Sequence, residues 1–180
     1  MKRTNLWLSA SAALFVLAFS IGAAAQLPVQ GNFSGLINDY TPGTLVSPVG
    51  PWEIRGDWSL MVRGNSGTAD FVATLTMVRS DLWVSQLGNQ DDPEGRIPHA
   101  HHITLVDGTV TPITNGFRVT GSAAITANGS PAGFSPSPVQ IDVVGGTNVP
   151  YSNIHVTFGS PASGHFGTFP IDGVVRRRPQ

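Results

Sequence analysis

Alternating apolar and polar positions dominate the chain and predict β-strands along most of it. The clearest run is Trp52–Arg63, in which every second residue is apolar or glycine while the residues between them are mostly polar. Side chains of a strand point alternately to its two faces, so this run predicts a long strand with one buried face. Turn-forming residues follow at 64–67, and a second alternating run at 69–78 returns, which predicts a β-hairpin.

Shorter runs of the same kind predict further strands at 31–40, 99–106, 117–127, 139–143, 154–158, 165–169 and 173–176. The pair Asp107-Gly108 predicts a tight turn, residues 80–87 fit either a helix or a strand, and residues 88–98 predict a polar loop. About eight strands and no convincing amphipathic helix predict an all-β fold. We expect a single-domain antiparallel β-barrel closed by its first and last strands, with a two-sheet β-sandwich as the alternative.

The N-terminal residues have the pattern of an export signal. Lys2 and Arg3 precede an apolar stretch at 6–21, and Ala23-Ala24-Ala25 supplies the small residues after which signal peptidase cuts. We expect residues 1–25 to be a cleaved signal peptide and residues 26–180 to form the single β domain. No later segment is apolar enough to span a bilayer, so we expect a secreted or periplasmic protein without stable membrane insertion.

Composition narrows the classes of function. The chain has no cysteine, so an exported form must be held together by its core rather than by disulfides. Removal of Lys2 and Arg3 from the ten basic residues leaves eight, against eleven acidic ones, which gives a net charge near −3. A nucleic-acid-binding protein would normally present a basic face, so we expect no nucleic-acid partner.

Three of the five histidines lie between residues 99 and 102, at the start of a predicted strand. His99 and His101 share one face of that strand, and two imidazoles at this spacing can bind one transition-metal ion. A third ligand has to come from a neighbouring strand, where His155 is the residue we select, although His165 is also a candidate. The predicted metal set is therefore His99, His101 and His155, with zinc or copper as the ion.

Other residues predict a neighbouring ligand site. Trp52 and Trp58 supply aromatic surface, His102 leaves the opposite face of its strand, and His165 lies close in sequence to the last strands. The run 121–127 carries small residues on one face, which predicts either close backbone approach or an open cavity. Glu53 and Asp57 face one side of their strand and are further candidates for the third metal ligand. With Arg55 they could also form a paired-carboxylate acid/base site, but a solvated face with ion pairs explains this trio better.

These features favour a binding protein for a small ligand or a divalent metal ion held near the histidine cluster. A metal- or histidine-dependent enzyme, a hydrolase or an isomerase/cyclase, is the alternative, because an ion with an open position can activate water. A structural or surface-interaction module without a site is the third interpretation. The sequence does not decide whether the protein is an enzyme.

Overall fold

The computed structural model describes residues 30–41, 52–64, 66–79, 98–146 and 149–176. These residues form nine strands and one helical turn, in the order β1 (Gly31–Thr41), β2 (Trp52–Arg63), β3 (Thr68–Arg79), β4 (His99–Ile113), β5 (Gly116–Ala127), β6 (Ser130–Pro131), β7 (Ser137–Gly146), β8 (Val149–Phe158), α1 (Ser163–Phe166) and β9 (Ile171–Val175). The predictions for residues 1–25, 80–87 and 88–97 lie outside the described residues.

Eight of the strands form a closed antiparallel barrel. They follow the order β4-β3-β2-β1-β9-β8-β7-β5, and pairing of β4 with β5 completes the ring. The two residues of β6 add a short extra strand beside the end of β5. The predicted barrel is confirmed, rather than the sandwich alternative, and the first and last strands pair as expected through Gly35 and Val175.

Inward-facing apolar side chains fill the barrel. On β2 the residues Ile54, Trp58, Leu60 and Val62 are at most 3% exposed, while Arg55 and its polar neighbours on the other face remain in solvent. Full burial of one such side chain contributes about 1.5–3 kcal/mol. The period-two pattern therefore becomes one inner and one outer barrel surface, as alternation predicts.

The small-residue face predicted on β5 lies beside a neighbouring side chain at Gly121. A Cβ atom at Gly121 would lie 2.5 Å from Leu105 Cδ1, and one at Gly108 would lie 2.8 Å from Leu105 Cδ2. The two glycines therefore leave room for Leu105, which is 1% exposed. The group that approaches this position is a side chain, and not the close backbone or the open cavity that the sequence predicts.

The tight turn predicted at Asp107-Gly108 is wrong. β4 continues to Ile113, and its register against β5 shifts between Thr104 and Thr109. Asp107 has a φ of 54°, its N–H donates to Asp70 Oδ1, and its own carboxylate accepts a hydrogen bond from Arg63. These contacts place the turn-forming residues in a bulge, which bends the strand without ending it.

The strand predicted at 165–169 is also wrong, because its first residues form α1. The Phe166 N–H donates to the Ala162 carbonyl at 2.9 Å, and the Phe166 ring stacks on Phe158 with centroids 4.4 Å apart. Phe166 is 1% exposed, so this helical turn buries an aromatic ring at the end of the barrel while the chain passes from β8 to β9. Within the described residues, no helix has the length and apolar character needed to cross a bilayer.

Candidate metal centre

Three histidines meet at one end of the barrel. His99 and His101 lie on the same face at the start of β4, with ring centroids 4.7 Å apart. His165 lies on α1, which follows the end of β8 and therefore reaches the same end of the barrel. A strand and a helical turn thus supply the three rings, with His101 and His165 separated by 64 residues in sequence.

The Nε2 atoms of the three histidines converge. His165 Nε2 lies 2.8 Å from His101 Nε2 and 3.2 Å from His99 Nε2. All three ligand atoms lie within 4.8 Å of one another. Two nitrogen ligands of a tetrahedral zinc ion, each bonded at about 2.0–2.1 Å, are separated by about 3.3 Å. The two distances from His165 Nε2 lie near this value, so the group could hold a transition-metal ion.

A backbone carbonyl orients the ring of His101. Its Nδ1 lies 3.0 Å from the carbonyl oxygen of Thr126, and only an Nδ1–H group can donate to that oxygen. In the neutral ring, Nε2 then carries the lone pair and faces the other histidines. In the metal-free protein His165 Nε2–H donates to it, and an ion would replace that proton.

Burial keeps two of the rings neutral. It lowers the pKa of His101 to about 4, against the opposing effect of the bond to Thr126, and His99 lowers it slightly further. Burial likewise lowers the pKa of His165 to about 4, with smaller contributions from His101 and His99. Neutral imidazole is the form that binds metal, so protons do not compete at these two rings near pH 7.

Phenylalanine rings enclose the histidines. Phe134 stacks on His165 with centroids 4.9 Å apart and an interplanar angle of 23°. The edge of Phe166 packs against His101 with centroids 5.0 Å apart. These contacts limit ring rotation and reduce the water around the nitrogens, which favours a preformed ligand set.

Ser137 connects the two segments that surround His165. Its hydroxyl donates to the carbonyl of Phe134 and accepts a hydrogen bond from the Ala162 N–H. Ser137 is fully buried at the start of β7, two residues before Val139, the first buried apolar residue of that strand. One side chain thus ties the Phe134 loop to the start of α1.

The histidines proposed from sequence fall into two groups. His165, predicted as a ligand-binding residue and as the other candidate for third ligand, joins His99 and His101. His155 lies on the outer side of β8, where its Nδ1 bonds Asp172 Oδ1 at 2.6 Å, so it is not part of the group. His102 is exposed on the outer face of β4 and contacts Thr74 Oγ1 at 3.3 Å.

The two tryptophans also separate. Trp52 packs its ring edge-on against His99, with centroids 5.2 Å apart, and therefore borders the histidine group. Trp58 is 2% exposed and stacks against Phe71 in the barrel core. It lies six residues further along β2, roughly 20 Å away in an extended strand. Glu53 pairs with the exposed Arg55 on the outer face, as the ion-pair interpretation predicts.

Phe134, Phe166 and Ser137 were missed from sequence, although each contacts the ligand histidines or the segments that carry them. No local pattern in the sequence indicated them, because their contacts join segments that are distant in the chain. Comparisons of the chain with protein-family models, curated proteins and solved structures gave no match. Functional inference therefore depends on the centre itself.

Proposed function

We propose that this protein is a metal-binding β-barrel that holds one divalent transition-metal ion, zinc or copper, through His99, His101 and His165. The observation that carries this proposal is the convergence of the three ligand nitrogens, which all lie within 4.8 Å of one another. The bond between His101 Nδ1–H and the Thr126 carbonyl leaves the lone pair on Nε2, which faces the other two histidines. This orientation supports the proposal independently.

The donor set favours an ion of intermediate softness. Three imidazole nitrogens suit zinc and copper, whereas calcium and magnesium prefer oxygen ligands. The N-terminal pattern around Lys2 and Arg3 supports export, so this centre would bind its ion in the periplasm or outside the cell.

The test is metal stoichiometry in protein purified without a histidine tag. We expect one zinc ion per chain after incubation and dialysis, and loss of that ion in the His99→Ala/His101→Ala double variant and in His165→Gln. His155→Ala is the matched control, because it removes a histidine of the outer face and leaves the three ligands intact. Far-UV circular dichroism establishes that each variant is folded.

Two outcomes contradict the proposal. If wild-type protein retains neither zinc nor copper after dialysis, the three histidines do not form a metal site. A His155→Ala variant that loses as much metal as His165→Gln would assign the binding to surface histidines in general.

Hydrolysis by a metal-bound hydroxide is the second candidate function. The observation that favours it is a group of only three protein ligands among the described residues, which leaves one tetrahedral position for water. Zinc lowers the pKa of such a water to about 7 and makes it a nucleophile. Zinc-dependent hydrolysis of an activated ester, absent in His165→Gln, would support it; equal rates in both proteins would contradict it.

A further inference from the structure

An Asn-Gly turn follows strand β5 beside the metal centre. Asn128 and Gly129 connect β5 to β6, and both have positive φ angles, 47° and 84°. Two consecutive residues of this kind form the type I′ turn of a two-residue hairpin, for which Asn-Gly is a favoured sequence. The turn lies opposite the start of β4, because Ala127 is the cross-strand partner of His101. Asn128 is therefore close to the segment that carries two of the three ligands.

Asn128 makes two hydrogen bonds with Ala100. Its backbone N–H donates to the Ala100 carbonyl at 2.8 Å, and its side-chain Oδ1 accepts a hydrogen bond from the Ala100 N–H at 2.9 Å. Ala100 lies between the ligands His99 and His101 on β4. Strand β5 ends at Ala127, so the Asn128 side chain supplies the acceptor that another strand residue would have supplied. The pairing of β4 with the β5 segment thereby continues one residue further towards the metal centre.

These two bonds hold the backbone between the two ligands. Residues that follow one another in a strand direct their N–H and C=O groups alternately to the two neighbouring strands. Because those of Ala100 are directed to Asn128, the corresponding groups of His99 and His101 are directed to β3, which pairs with both residues. The segment 99–101 is therefore held from both sides. Its backbone geometry helps to set the separation of 4.7 Å and the angle of 89° between the two rings.

The end of β5 holds one of the ligand rings as well. The Thr126 carbonyl accepts the hydrogen bond from His101 Nδ1, two residues before Asn128. Residues 126 and 128 together make three hydrogen bonds with residues 100 and 101. One short segment thus fixes both the ring of His101 and the backbone from which His99 and His101 project.

We infer that Asn128 is a positioning residue of the metal centre, whose Oδ1 atom, by holding Ala100, keeps His99 and His101 at the spacing that one ion requires. This inference rests on the proposed function, because the spacing matters only if the histidines bind an ion. Partners that orient metal ligands typically contribute about 10–100-fold to metal affinity. Asn128 acts on the ligands through the backbone rather than on their rings, so we expect a contribution of about tenfold.

The experiment compares three variants of the full-length protein. Asn128→Gly removes Oδ1 but keeps the N–H group and adopts a positive φ without strain. Asn128→Asp retains an acceptor oxygen in a residue that tolerates the same backbone conformation. Asn115→Gly is the matched control, because Asn115 has a φ of 60°, also precedes a glycine and lies at the opposite end of β5. Urea denaturation in the presence of a chelator establishes that each variant is folded.

Two measurements are made on each protein. Competition with a chelator of known affinity gives the dissociation constant for zinc, and the visible absorption of bound cobalt(II) reports the geometry of its ligands. We expect Asn128→Gly to bind zinc about tenfold more weakly than wild type and to change the cobalt spectrum. Asn128→Asp should restore the wild-type spectrum and bind zinc at least as tightly as wild type, and Asn115→Gly should match wild type in both measurements.

The outcomes separate this inference from the metal proposal. If Asn128→Gly has the affinity and the spectrum of wild type, the inference is overturned and the metal proposal stands. The same conclusion follows if Asn115→Gly loses as much affinity as Asn128→Gly, or if Asn128→Asp does not restore the spectrum, because the effect would then reflect general destabilisation. Wild-type protein that binds none of cobalt, zinc and copper would overturn both.

Discussion

Acidification of the metal-free protein should destabilise it well before its carboxylates titrate. Histidine has a pKa near 6.5 in an unfolded chain, whereas burial lowers the pKa of His101 and of His165 to about 4. Between these values the unfolded chain binds more protons than the folded chain does. The free energy of unfolding therefore falls as the pH falls from about 6.5 towards 4.

The magnitude follows from the two pKa values. For one ring, the change from pH 7 to pH 5 removes about 2 kcal/mol of stability. The two contributions are not fully additive, because His101 is itself a cause of the lowered pKa of His165. We expect a total loss between about 2 and 4 kcal/mol, which corresponds to a decrease in melting temperature of at least about 4 °C for a chain of this length.

Urea denaturation in the presence of a chelator at pH 7 and pH 5 measures this loss. His101→Gln should show roughly half the pH dependence of wild type, since one titrating ring has been removed. His102→Gln is the control, because that side chain is exposed on the opposite face of the same strand. Equal free energies of unfolding at pH 5 and pH 7 in metal-free wild type would refute the argument.

Three further outcomes are expected. Zinc at one hundred times its dissociation constant should raise the free energy of unfolding by about 2.7 kcal/mol in wild type and leave His165→Gln unchanged in thermal denaturation. Ser137→Ala should lower the free energy of unfolding by about 1–3 kcal/mol and weaken zinc binding in calorimetry, because the Ser137 hydroxyl joins the Phe134 loop to α1. An unchanged zinc affinity would contradict this. Leu105→Ala should lower the free energy of unfolding by about 2–5 kcal/mol in urea denaturation, because it opens a cavity next to Gly108 and Gly121. Val106→Ala, at a position that is 63% exposed, should lower it far less.

The barrel was predictable because its strands are amphipathic. Strand β2 begins and ends at the residues that its alternation indicates, Trp52 and Arg63. Closure was also predictable in outline, since pairing of the end strands removes exposed edges. The bulge at Asp107 was not, because residues that favour turns also favour bulges, and contacts distant in sequence, here to Arg63 and Asp70, select between the two.

The ligand set shows the same division between local and distant information. His99 and His101 share a face by the geometry of any strand, so their pairing was predictable from spacing. The choice between His155 and His165 was not, because it depends on which side of β8 faces inward and on whether residues 163–166 form a strand or a helical turn. Burial of Phe166 at the barrel end accompanies the turn, and His165 reaches the centre with it.

The arrangement also indicates that the proposed ion would join two separate parts of the fold, α1 and β4. Two of its ligands lie on a barrel strand that is paired on both sides, whereas His165 lies on a four-residue helical turn outside the ring of strands. In the metal-free protein His165 Nε2 contacts the Nε2 atoms of both His101 and His99, and one hydrogen bond of this kind contributes about 0.5–1.5 kcal/mol. Coordination would replace it with metal bonds from α1 and β4 to a single ion. Loading should therefore order the α1 segment more than it orders the barrel. We expect metal binding to slow amide hydrogen exchange at 163–166 by a larger factor than at β2, and an equal effect on both segments would contradict this argument.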